Sequence, residues 1–156
     1  MLDGGLFMII IFIFIVIIMS VFPLFVEINT EMQADDDISN SSKELMQEKV
    51  TLYPSLFDGV FIMVVCLMWA LVVIASWNID AHPIFFIFTA IITVFLIIAS
   101  AMLSNFYSEF VSDSAYSVYV TSFPAMNFVG THLAHFIVVI VVSISLSLFG
   151  KSRSEQ

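Results

Sequence analysis

His132 and His135 stand three residues apart, a spacing that puts two imidazoles on one helical face, and two imidazoles are half of a zinc site. Completing a ligand set would take Asp80, His82 or Glu109, and no spacing in the chain brings these to the same place. Asp35-Asp36-Asp37 is the second candidate for cation chemistry. Calcium loops, however, alternate their oxygen ligands and end on a bidentate Glu, and this run does neither. Cys66 is the single cysteine; it lies inside an apolar run and reads as a small core side chain rather than a nucleophile. The sequence has no Gly-rich phosphate loop, CxxC pair, nucleophile elbow or HExxH helix. We therefore expect no catalytic residue, no cofactor and no bound metal, and read the two histidines as an interfacial pair bonding to hydroxyls or headgroups.

The elements that hold these residues are set by composition. Of 156 residues, 61% are hydrophobic and only 11% charged, where soluble domains run near one quarter charged. Thirteen acids against four bases give a net charge of −9, the wrong sign for nucleic acid. The central apolar runs organise the rest. Residues 60–77 hold no ionisable group except Cys66, and residues 84–104 hold none. At 1.5 Å per residue these runs reach roughly 27 and 32 Å, the thickness of a hydrocarbon core. The polar hinge 78–83 offers Asp80 to a helix start and Pro83 to a first turn, so it predicts an antiparallel pair of helices packed on each other. The expected fold is all-α: a polytopic membrane protein of about four transmembrane helices with that central hairpin.

We divide the chain into an uncleaved anchor helix (1–26), an acidic extramembrane segment (27–58), the hairpin (59–104), an aromatic interfacial loop (105–127), a C-terminal transmembrane helix (128–149) and a polar tail (150–156). The first apolar run is too long for a signal peptide and follows Asp3 rather than a base. Its Ile, Phe and Val surround the helix, so much of it should face lipid, with a bend marked by Ser20 and Pro23. Segment 27–58 holds eight acids (Glu27, Glu31, Asp35, Asp36, Asp37, Glu44, Glu48, Asp58) against Lys43 and Lys49. Ser41 and Glu44 fit a capping box, predicting a short surface helix over 42–50 that Tyr53-Pro54 stops. Segment 105–127 interleaves aromatics with Ser and Thr, as suits the headgroup layer or a protein contact; Tyr107, Glu109, Tyr116 and Tyr119 are its partner-contact candidates. Gly150 and Lys151 read as the stop of the last helix.

Helix packing should fall to the third run. Thr89 with Thr93 and Ser100 with Ser104 are small-residue pairs four apart, which let backbones approach and hydroxyls bond across, so this helix is expected at the middle of the bundle. The centres of all four runs lack the charges by which carriers and pumps hold ions, which argues against transport. Four spans place both termini on one side. Lys151 and Arg153 favour the cytoplasm there, while Lys43 and Lys49 vote the other way; on that even count we lean towards cytoplasmic termini.

The hinge Ile79-Asp80-Ala81-His82-Pro83-Ile84-Phe85-Phe86, paired with Ser104-Asn105-Phe106-Tyr107-Ser108-Glu109-Phe110, resembles small membrane proteins of tailless icosahedral bacteriophages, whose virions carry a lipid bilayer beneath the capsid. The likeness covers residues 59–110, and its motif has no chemistry to carry over. It implies a structural role in the virion internal membrane, and in the host cytoplasmic membrane during assembly. That role is to organise the bilayer and link it to capsid proteins, with other membrane proteins or further copies of the chain as additional partners. A holin-like permeabilising protein and an accessory subunit of a larger membrane complex are the alternatives. The large acidic segment and weakly basic tail fit a holin poorly.

Overall fold

The computed structural model describes the backbone of residues 2–78 and 83–154, and side chains within these except at 2–4, 83–87, 89 and 148–154. The helices are α1 (Leu2–Ala34), α2 (Asn40–Trp77), α3 (Pro83–Ser112), the single turn α4 (Ser114–Ser117), a 3-10 turn at Val120–Ser122, α5 (Pro124–Thr131) and α6 (Leu133–Ser154). No strand occurs among the described residues. Helices α1, α2 and α3 are each long and apolar enough to cross a membrane, and α5 with Leu133–Ser147 of α6, bent by 77° at their break, passes the same test as a pair, which makes three spans, or four where the bent pair counts as one. The chain is an all-helical membrane protein. The core of the predicted hinge, with Asp80 and His82, lies outside the described residues.

Helical periodicity sorts each span into two faces. On α1, Phe7, Met8, Ile11, Ile15, Met19 and Phe22 recur at three and four residues and are buried, while Ile9, Ile13, Ile17 and Val21 face outwards. Outward apolar side chains such as Leu67 and Leu71 on α2, Val94 and Phe95 on α3 and Val139 and Val142 on α6 form the surface that lipid covers. Cys66 is exposed on this outer face, so it is not the core side chain expected. The hairpin also differs from expectation. Helix α6 packs against both α2 and α3, and these two meet chiefly through it rather than each other. Helix α6 thus stands between α2 and α3. Ser147 of α6 marks the contact with α2, its hydroxyl donating to the Val73 carbonyl at 3.3 Å.

The acidic segment is a helical arm, not a short surface helix. Helix α1 continues past its apolar run to Ala34, and α2 begins at Asn40 and runs unbroken through Pro54. Its N-cap is Ser39, which accepts from Ser42 N at 3.3 Å, so the cap lies two residues before the expected Ser41. A proline inside a helix removes one ladder bond and crowds the preceding turn. Here Pro54 is buried, and neighbouring contacts to α1 hold the helix together. Phe25 packs on Tyr53 with ring centroids 5.4 Å apart. Farther out, Asn29 Nδ2 donates to Gln47 Oε1 at 2.8 Å. Gln33 Nε2 donates to the Lys43 carbonyl at 2.8 Å, and Lys43 Nζ returns a bond to the Gln33 carbonyl at 3.0 Å. From Asp58 to Trp77, α2 runs about 30 Å, one hydrocarbon thickness; from Asn40 to Phe57 it extends about 27 Å further.

The last apolar segment is broken, whereas the sequence reading makes it one transmembrane helix over 128–149. His135 N bonds to the His132 carbonyl at 2.9 Å instead of to Thr131, so α5 ends and α6 starts in a new direction. Helix α6 then continues through Gly150 and Lys151 to Ser154, so these residues do not stop it.

Candidate functional site

The most constrained place in the molecule is where α5 crosses between α2 and α3. Helix α5 starts at Phe123-Pro124, and neither residue can cap it: Phe123 has no polar side chain and makes no side-chain cap bond. Pro124 has no N–H, and Asn127 N bonds to the Phe123 carbonyl at 2.9 Å. The two remaining first-turn donors go to a residue more than sixty positions earlier. Ala125 N donates to Asp58 Oδ2 and Met126 N to Asp58 Oδ1, both at 2.8 Å. Asp58 is buried, and its carboxylate faces the positive end of α5. By sequence it belongs with the acids of the extramembrane segment 27–58; in the structure it is a long-range N-cap that clamps α2 to α5.

The other end of α5 is held by α3. The Thr131 carbonyl, freed from the helical ladder by the break, accepts the hydroxyl of Ser104. Between the two ends, the ring of Tyr107 lies flat against the backbone at Gly130. A Cβ there would meet Tyr107 ring carbons at 2.6 to 2.8 Å, so only glycine permits the approach. Tyr107, Phe123 and Met126 are wholly enclosed. Phe22 of α1 closes this layer, edge-on to Phe123 at 5.0 Å and to Tyr119 at 5.7 Å. The hydroxyl of Tyr107 and the amide oxygen of Asn127 are buried without a hydrogen-bond partner among the described residues. The arrangement fixes four helices at one level. Its polar atoms are positioned to join helices.

The residues singled out from sequence are distributed as follows. Ser100 is fully buried and bonds to the Ile97 carbonyl of its own helix at 2.9 Å, and Ser104 reaches across to α5. Thr93 is half-buried on α3, and the side chain of Thr89 lies outside the described residues. Tyr107 is interior, so it cannot be the partner contact proposed for it; its ring is what α5 packs on. Glu109 is exposed, whereas Tyr116 stacks on Phe110 at 4.3 Å and Tyr119 packs on Phe22, each half-buried. His132 and His135 are exposed at the break, with ring centroids 5.7 Å apart. The His132 ring stacks on Phe128, and its Nδ1 lies 2.9 Å from Thr131 Oγ1 and 3.0 Å from the Phe128 carbonyl. Among the described residues, no group of three or more His, Cys, Asp or Glu side chains is arranged to hold a metal ion.

Sequence reasoning missed Asp58 and Gly130. A usable signal existed for the first: Phe-Pro begins a helix with no capping side chain of its own, which requires an acceptor from elsewhere. No protein-family model, curated protein or solved structure matches this chain.

Proposed function

We propose that this chain is a structural integral membrane protein that organises a bilayer and ties a protein layer to it. The setting we assign is the internal membrane of a tailless icosahedral virion, with the capsid shell as the tethered layer. The observation that carries the reading is the helical arm. It extends about 27 Å beyond the level of Asp58, bears seven acids, and is braced by reciprocal bonds between Gln33 and Lys43. Beneath it, Asp58 and Ser104 use their polar atoms to lock α5 between α2 and α3. A rigid post on a locked base transmits position between two layers, which is what a tether requires.

Cross-linking of intact lipid-containing particles tests this. Lys43 and Lys49 should give cross-links to the shell protein that vanish when the shell is stripped from the membrane. Expressed alone, the chain should leave a dye trapped in vesicles. Prompt release of that dye would replace the tethering reading with a permeabilising one, and cross-links only to redox subunits would make it an accessory of another complex.

A further inference from the structure

We infer that the outer face of the α2 arm is a docking strip for a basic amphipathic helix of a partner protein. The inference deepens the tethering role and takes the partner's setting from it; the face itself is argued from the arm. Leu45, Leu52 and Leu56 recur, through Lys49, at three- and four-residue steps, and so share one face of α2. That face points away from α1, which is engaged by Lys43, Gln47 and Tyr53. The three leucines are 58%, 48% and 55% exposed. Isolated exposed leucines are ordinary, but a straight row of them on a helix projecting from a bundle is how grooves and zippers present their seams.

Lipid hydrocarbon is kept from the outer part of this row by the exposed Glu44 and Glu48 beside Leu45, since carboxylates avoid it, and the exposed Glu109 and Asp113 lie at the end of the bundle from which the arm projects. The strip starts beside Asp58 and runs outward for about 20 Å. Charge then selects the occupant. Over residues 27–57 the arm carries Glu27, Glu31, Asp35, Asp36, Asp37, Glu44 and Glu48 against two lysines, and the ammonium of Lys43 is bonded to the Gln33 carbonyl. Two such arms repel each other, and an anionic lipid surface repels either, so neither a second copy nor a membrane is the match. On α2 itself Glu44 and Glu48 flank one edge of the strip and outnumber Lys49 within it, so a helix with an apolar seam and Lys or Arg along the edge that meets Glu44 and Glu48 is the match.

The test uses the full chain in phosphatidylcholine nanodiscs, with the signal of empty discs subtracted. The probes are a synthetic leucine-seam peptide with Lys flanks and the same peptide with Glu flanks. We expect the basic peptide to bind at least ten-fold more tightly than the acidic one, with affinity falling as salt rises. The exposed-site variant Leu45→Ser/Leu52→Ser/Leu56→Ser should lose at least ten-fold, and Glu44→Gln/Glu48→Gln should weaken binding about three-fold and flatten its salt dependence. Equal binding to wild type and the serine variant, equal affinity for both peptides, or pairing of the chain through its own arms overturns the inference. The tethering reading is scored separately on intact particles. Shell cross-links from Lys43 and Lys49 that persist in the triple leucine-to-serine variant would refute the strip while leaving the tether; peptide binding without any shell cross-link would do the reverse.

Discussion

Replacing Asp58 tests the joint most directly, because one carboxylate serves both free donors of the first turn of α5. In Asp58→Ala the N–H groups of Ala125 and Met126 lose their acceptors inside the bundle. A buried donor left unpaired costs about 1–3 kcal/mol, and loss of a helix cap typically costs about 1 kcal/mol. The two donors share one turn, so a small shift of the Phe123 segment relieves one of them, and the penalties do not simply add. We expect a loss of about 2–4 kcal/mol, from these unpaired-donor and capping magnitudes. Asp58→Asn keeps one acceptor and loses the negative charge at the helix start, so about 1–2 kcal/mol is expected. The assay is reversible unfolding in mixed micelles followed by circular dichroism, with limited proteolysis over residues 113–123 as a local readout. The order of stability should be Asp, then Asn, then Ala, with cleavage rising in the same order. An alanine variant within about 0.5 kcal/mol of wild type, a difference typical of inert surface sites, would mean that the carboxylate does not hold the joint and has some other role.

The neighbouring contacts give sharper local expectations. Gly130→Ala drives a Cβ into the Tyr107 ring at 2.6 to 2.8 Å and should cost about 1–3 kcal/mol by overpacking; pairing it with Tyr107→Leu should recover part of that loss in the same unfolding assay. Tyr107→Phe removes a buried hydroxyl that has no partner among the described residues, so stability should be unchanged or higher, within about 1 kcal/mol. Ser100→Leu adds bulk at a fully enclosed position of α3 and should lower stability in detergent by about 1–3 kcal/mol while membrane insertion, measured by glycosylation mapping, stays complete. Ser104→Ala strands the Thr131 carbonyl at the break and should cost about 1 kcal/mol in the unfolding assay; no change would show that the break needs no support from α3.

What the sequence discloses and what it hides follow from the range of the interactions involved. The spans were readable because lipid imposes its demand on every residue of a run, so composition alone identifies 60–77 and 84–104. The arm was not readable because Pro54 carries a local penalty that reads as a stop, while the contacts that offset it lie across a turn on α1, at Phe25 and Asn29. Asp58 was misassigned for a related reason. One acid at the head of an apolar run is indistinguishable from the last acid of a solvated segment until its acceptor role at Ala125 and Met126 is seen. The information was nevertheless present at the receiving end, as an uncapped Phe123-Pro124 start and a lone Gly130 in an apolar stretch. In a membrane helix an unmet backbone donor is expensive enough that some side chain must come to it. A search that begins from such unmet donors, and asks which distant acid lies at the same membrane depth, would have paired α5 with α2. The same two anchors, Asp58 at one end of α5 and Ser104 at the other, hold it apart from the direction that α6 takes after the break at His132.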